Sequence, residues 1–396
     1  MKSTTRLGFY YSALFFTVGM VSPYMPLWFA AQGLSGAQIG VILAAPLLAR
    51  TVTAPTLAIW ADGFALRRTP LVIMGAGAVL AYAAYVISHG FWAWATLWFV
   101  SQTLFATLAP LADVIALRRS SLEGFNFGLP RGLGSAAFVI ANVGMGLVLT
   151  IAPIDTLIFS VTLASVITAV GARLLLPADR VHEAGEHRGR RDQLAGLWGL
   201  IKDPVFMVAV ASVGLIQASH AFYYGFGNLA WARQGVPHAL FGVLWAVGVI
   251  FEIAFFWFLE PWRRRIGPER LIILGGLAGV VRWSVLAFSP PLWLIFPIQA
   301  LHALTYAACF FGGLQLVQRL SPPASASAAQ TLSSALSGGL LIGLATTLSG
   351  VLFDRVGAYG YLAMSALALA GLAGALMIGP LQRRLPLPTS HRADDG

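Results

Sequence analysis

The sequence predicts an all-α integral membrane protein with twelve transmembrane helices in two pseudo-symmetric six-helix bundles. Three observations point there. First, 58% of the 396 residues are hydrophobic and only 10% are charged, whereas a soluble domain carries roughly 25% charge. Second, apolar stretches of the ~20 residues needed to cross a bilayer can be marked off twelve times, with a single long hydrophilic segment after the sixth. Third, the basic residues fall in alternate linkers. No soluble fold hides this much apolar side chain, so lipid is the solvent for most of it.

The chain opens on MKSTTR and runs straight into the first span, 7–30, which is too long for a signal-peptide core and has no small-residue cleavage site. The second, 36–60, contains GVILAAPLLAR and so places Arg50 inside an otherwise uncharged run. The third, 70–88, follows the loop residues Asp62, Arg67 and Arg68. The fourth, 92–116, carries Gln102 and Asp113. The fifth, 129–152, starts at Pro130, a residue suited to a first helical turn, and holds Arg131 and Asn142. The sixth is 156–176. Next comes a mixed-charge segment, 177–204, that fits a flexible cytoplasmic linker with one amphipathic helix on the membrane surface. Spans seven to twelve follow at 205–229, 239–260, 271–288, 292–316, 327–351 and 359–379. The domain reading is therefore an N-terminal bundle 1–176, a linker 177–204, a C-terminal bundle 205–380 and a tail 381–396.

Charge placement sets the orientation. Lys2, Arg6, Arg67, Arg68, Arg118, Arg119, the segment 180–202, Arg263 to Arg265, Arg270, Arg319, Arg383 and Arg384 lie in one set of linkers; the alternate set holds only Arg233 and Arg355. That asymmetry puts both termini in the cytoplasm. It also accounts for the net charge of +10 without nucleic acid as a partner. The one cysteine, Cys309, excludes a disulfide within the chain.

The halves also echo one another. Residues 40–50 overlay 242–252 at a fixed offset that sets Arg50 on Glu252 and Trp60 on Trp262, and Gln102, Leu104 and Ala106 match Gln299, Leu301 and Ala303 more weakly. Two six-helix halves joined by a central linker form a transporter architecture, with the binding site near the membrane midplane.

A charge at the centre of a membrane helix costs at least ~2.5–3.5 kcal/mol on insertion scales, so each faces a partner or water and marks a candidate site. Here they are Arg50, Asp113, Arg131, Glu252 and Arg282, joined by the titratable His220 and His302. Glu252, Arg282 and His302 sit on spans eight, nine and ten; clustered, they form either a proton site or a packing ion pair. Asp113 and Arg131 either gate the cytoplasmic end or line the binding site. Surplus arginine offers a fork for an anionic group or bonds backbone carbonyls. His220 reads as a hydrogen-bonded lining residue beside Tyr223, Tyr224 and Asn228. Tyr24 and Tyr224 supply rings for stacking, and Gln102, Asn142, Gln217 and Asn228 supply amides for a sugar or nucleoside.

Three stretches resemble the major facilitator superfamily, in particular its phenylpropionate-permease-like, nucleoside and lactose permeases. YYSALFFTVGMVSPYMPLWFAAQGLSGAQIG (10–40) is similar to the first helix and loop of phenylpropionate-permease-like proteins. ADGFALRRT (61–69) resembles the signature loop between helices two and three, without its glycine before the acidic residue and without its second glycine. FGLPRGLGSAAF (127–138) resembles the start of helix five in lactose-permease-type symporters. The resemblance implies the major facilitator fold and alternating access. It places Arg131 on the substrate-binding arginine, Asp113 on the helix-four carboxylate, and Glu252, Arg282 and His302 on the proton machinery, with Asp62, Arg67 and Arg68 as the gating loop. The carboxylate one turn beyond the histidine in lactose permease has no counterpart in Ala303, Leu304, Thr305 and Tyr306, which leaves Glu252 or Asp113 as the protonated group.

The expectation is a secondary transporter in the cell (inner) membrane, working as a monomer. It would carry a small organic solute with protons: an aromatic carboxylate of phenylpropionate type, or a sugar or nucleoside. Efflux by proton antiport and a transporter-like receptor are the alternatives. No HExxH, Gly-rich phosphate loop or nucleophile elbow is present, so no enzyme, cofactor or metal site is expected.

Overall fold

The computed structural model describes residues 1–180, 199–322 and 326–384. Most of the linker reading, including its amphipathic surface helix, and most of the tail 381–396 lie outside the described residues. The regular structure of the described residues is helical, apart from one bridge between Leu66 and Arg180.

In chain order the helices are α1 (Ser3–Ala31), α2 (Gly36–Asp62), α3 (Arg68–Ala84), α4 (Phe91–Glu123), α5 (Gly128–Val148) and α6 (Thr156–Leu174). Then follow α7 (Pro204–Ala218), α8 (Ala221–Arg233), α9 (His238–Phe258), the short α10 (Glu260–Ile266), α11 (Pro268–Ala287), α12 (Leu292–Ala300) and α13 (Cys309–Leu320). The last are α14 (Ala326–Ala335), α15 (Ile342–Val356) and α16 (Tyr361–Arg384). π-Helices at Ala303–Ala308 and Leu336–Leu341 join α12 to α13 and α14 to α15.

Among the described residues, ten helical runs are long and apolar enough to cross a membrane. The last of them, 328–383, holds both the eleventh and twelfth expected spans, and the third span is the 17-residue α3. Each of the twelve expected spans is therefore helical. Their outer surface is apolar: Ile151 is 90% exposed, Ile87 82%, Trp92 80% and Phe258 74%. The inside carries the polar groups, among them Thr17, Ser101, Asn142, Thr168, His220, Arg282, Gln299 and Thr305. A chain dissolved in water rarely exposes so many large apolar side chains together.

Helix ends are secured locally. Ser35 and Gln38 form a capping box at the start of α2, and the Asp354 carboxylate accepts from the Gly36 and Ala37 amides at 2.7 and 2.8 Å. Asp203 caps α7 by accepting from Val205 and Phe206. The single expected span seven is two helices. Ser219 and His220 break it, and both side chains bond carbonyls of the preceding turn, which competes with the helical ladder.

The described residues gather into two compact units that differ from the two sequence halves. One contains 1–180, Ala221–Val247 and Gly343–Gly360; the other contains 199–220, Gly248–Ile342 and 361–384. Their internal packing follows one plan. In the first, α1 packs on α5 and α6, and α3 on α4 and α6. In the second, α7 packs on the Leu336–Leu341 π-helix and α16, and α11 on α13 and α16. Those are the same pairings six spans later, as the sequence repeat implies. Within the first unit the closest approaches are made by glycine: a Cβ on Gly350 would lie 2.2 Å from the Gly36 carbonyl oxygen, and one on Gly242 would lie 2.3 Å from that of Asn142. Small residues at such crossings let membrane helices touch through their backbones.

Candidate functional site

Each unit holds a cluster of the candidate charged residues within its apolar spans, and the two are of different character. In the second unit, Arg282 on α11 is fully buried. Its Nη1 donates to Thr305 Oγ1 at 3.1 Å and lies 3.0 Å from His302 Nδ1; its Nη2 donates to Gln299 Oε1 at 2.7 Å. The guanidinium also lies 4.5 Å from the centroid of the Trp283 ring, and Trp283 Nε1 donates to Ser219 Oγ at 2.8 Å. His302 and Thr305 share a face because they are three residues apart. The π-helix begins directly after His302; such bulges are frequent at functional sites. On the far side of His302, Nε2 faces Glu252 Oε2 at 3.6 Å. His220, in the break between α7 and α8, lies with Nδ1 3.1 Å from the Gln217 carbonyl and Nε2 3.0 Å from Thr305 Oγ1. The structure thus places Glu252, His302 and Arg282 in one row, with His302 in the middle.

In the first unit, Arg131 on α5 and Asp113 on α4 are 3.8 Å apart, with side chains 36% and 30% exposed. Tyr11 donates to Asp113 Oδ1 at 2.6 Å. The guanidinium lies 4.3 Å from the Phe15 ring centroid and 5.5 Å from that of Tyr11. Coulomb attraction across 3.8 Å at this exposure contributes only ~0–1 kcal/mol. Arg131 therefore lies against two ring faces with its side chain part-exposed.

The remaining candidates divide. Gln102 donates to Tyr82 Oη at 2.8 Å. Asn228 donates to the Pro23 carbonyl at 2.7 Å and accepts from Trp245 Nε1 at 3.0 Å. Tyr24 donates to the Asn142 carbonyl at 2.7 Å, and the Asn142 side chain is fully buried without a hydrogen-bond partner among the described residues. These four are used in, or sealed into, the packing of the first unit. Tyr224 is half-buried and stacks on Trp245, centroids 5.8 Å apart. Gln217 donates to the Tyr306 carbonyl at 3.3 Å. Arg50 is exposed on α2 and has no hydrogen bond or ion pair among the described residues.

The loop residues expected to gate have positions within the first unit. Asp62 is exposed. The Arg67 amide donates to the Asp179 carbonyl at 2.8 Å, and Arg68 reaches the Arg173 and Leu176 carbonyls. Arg6 bonds the Leu174 carbonyl, Arg118 the Arg180 carbonyl, and Arg119 the buried Asp179 carboxylate. Guanidinium groups thereby satisfy the open carbonyls at the end of α6. Sequence reading missed Asp179, whose signal is a lone acid after Pro177 among surplus arginines. It also missed Gln299 and Thr305, neutral polar residues that leave no mark in an apolar helix.

Twelve apolar helical spans among the described residues, with one packing plan used twice, give the architecture of a multi-pass membrane transporter. The chain belongs to the MFS_1 like family, whose profile matches residues 4–362. It is 27% identical over 379 residues to a probable 3-phenylpropionic acid transporter of Escherichia coli (strain K12), covering 94% of this chain and 97% of that one. It is 26% identical over 394 residues to a maltose permease of Geobacillus stearothermophilus, covering 96% and 95%. Among solved structures it is similar to the nucleoside transporter NupG, with a TM-score of 0.82, 16% identity, and coverage of 96% of this chain and 99% of that one. The protein is a secondary transporter of small solutes and not an enzyme.

Proposed function

We propose that the protein is a proton-coupled symporter of an aromatic carboxylate, cycling by alternating access as a monomer in the bacterial cell membrane with both termini cytoplasmic. One observation carries the substrate class: Arg131 offers a part-exposed guanidinium laid over the rings of Phe15 and Tyr11. A planar fork pairs with a carboxylate, and adjacent ring faces suit an aromatic body. The sugar and nucleoside readings needed Gln102, Asn142, Gln217 and Asn228 as lining amides, and these are bonded internally or sealed. The likeness to a probable 3-phenylpropionic acid transporter supports the same choice. Glu252 takes the proton, as a carboxylate within the apolar α9 beside His302. Asp113, already bonded by Tyr11, positions Arg131. Asp62, Arg67 and Arg68 stay in the proposal as the loop that responds to opening.

The test is internal pH in proteoliposomes holding a trapped dye, after adding 3-phenylpropionate, maltose and uridine in turn. The aromatic acid should acidify wild-type vesicles, and Glu252→Gln should bind it without moving protons. An electrical readout is poorer, because a monoanion carried with one proton moves no net charge. If no solute moves protons in the wild type, symport falls, and proton antiport or facilitated diffusion replaces it.

A further inference from the structure

The hydrogen bonds around His302 fix which ring nitrogen carries the hydrogen. A guanidinium is a donor only. Arg282 Nη1 lies 3.0 Å from His302 Nδ1, so Nδ1 must offer its lone pair and the ring hydrogen is on Nε2. That nitrogen faces Glu252. A second proton on His302 could enter only at Nδ1, where it would meet a guanidinium N–H in a place shut from water: His302 is 8% exposed and Arg282 0%. Arg282 is not at liberty to turn away, because Gln299 and Thr305 hold the same fork.

The next layer agrees. His220 Nδ1 faces the Gln217 carbonyl, which only accepts, so that nitrogen carries the hydrogen. Nε2 of His220 then accepts the Thr305 hydroxyl hydrogen at 3.0 Å, which leaves the Thr305 lone pairs for Arg282 at 3.1 Å. The competing Thr305 contact with its own helix, to the His302 carbonyl, is longer at 3.3 Å. One assignment satisfies these contacts: two neutral imidazoles in opposite tautomers, with Arg282 donating to His302 and to Thr305. The charged and titratable groups facing His302 are Glu252 from α9, Arg282 from α11, His220 from the α7–α8 break and Tyr306 on its own π-helix.

We infer that His302 is a positioning residue, locked by Arg282 as the neutral Nε2–H tautomer, which presents that N–H to Glu252 and never carries the transported proton. Glu252 cannot pass its proton to Nε2, which already holds one, nor reach Nδ1, which Arg282 covers. The N–H serves both states of Glu252, since a carboxylate and the carbonyl oxygen of a carboxylic acid are both acceptors. The inference rests on the proton-symport reading, with Glu252 as the proton's only stop in this unit.

Two measurements test it. Nitrogen-15 spectra of histidine-labelled protein in lipid bilayers distinguish the two neutral tautomers and the imidazolium. His302 is identified by its loss in His302→Gln or, should that variant not fold, as the signal that shifts in Glu252→Gln. It should stay in the Nε2–H form from about pH 8 down to about pH 5, the range in which an unperturbed histidine titrates, and should become imidazolium at the acid end in Arg282→Met. An imidazolium His302 in the wild type would overturn the inference. In vesicles, His302→Gln keeps an amide N–H for Glu252, so it should retain solute-driven proton entry and the wild-type pH profile. Loss of proton entry with solute exchange intact would make His302 a carrier. If the wild type moves no protons at all, the symport reading fails, while the spectra still decide the tautomer.

Discussion

Arg131 and Arg282 each lie against an aromatic ring and near a carboxylate or its neighbour, yet they are built for different tasks. Arg282 is completely buried, and its fork is filled by Gln299, His302 and Thr305. Arg131 is about one-third exposed, and its one acidic neighbour is 3.8 Å away and already bonded by Tyr11. The difference teaches that residue type alone does not make an intramembrane arginine a ligand site. A fork engaged by buried side chains makes Arg282 part of the frame; a fork left to solvent and ring faces is what the proposal asks of a hook.

The comparison breaks most readily at Arg282. Arg282→Lys replaces a planar fork by a point charge and strands buried partners at a cost of ~1–3 kcal/mol each. A fall of several degrees in the unfolding temperature in detergent, together with loss of uptake, is the expected outcome; Arg131→Lys should leave that temperature unchanged. Equal destabilisation by both would erase the contrast. The next effect is on the substrate side. Arg131→Gln should raise the KM for the aromatic acid by about 10- to 100-fold, the equivalent of one charged hydrogen-bonded contact of ~1.5–3 kcal/mol. Tyr11→Phe, which releases Asp113 to pair more closely with Arg131, should raise KM by a smaller factor in the same uptake assay. Smallest of all, Gln102→Leu should lower stability by ~1 kcal/mol through the lost Tyr82 bond and leave KM unchanged. A large KM effect there would return the sugar or nucleoside reading.

The spans and the charged candidates were legible in the sequence because lipid makes both unambiguous: apolar runs have a required length, and a charge inside one is costly enough to stand out. Glu252, Arg282 and His302 could be grouped on that ground alone. The breaks were not legible. Nothing at Ser219–His220 resembles a proline or glycine stop, and the π-helix after His302 has the ordinary apolar sequence ALTYAA. Thr305 and Gln299 decide the tautomers around Arg282, yet they are neutral and leave no trace in a hydropathy profile. Asn228 and Gln102, expected to line the site, have their amides engaged inside the fold. An amide in an apolar helix signals a need for partners, and here other helices of the same unit supply them.

The most direct test of the contrast is calorimetric binding of an aromatic carboxylate to purified wild type and Arg131→Gln, with the unfolding temperature of each measured alongside. If Arg131 is the hook, binding weakens by about 10- to 100-fold while the unfolding temperature stays where it was. Unchanged binding in a folded Arg131→Gln would contradict the account and move the carboxylate to another residue.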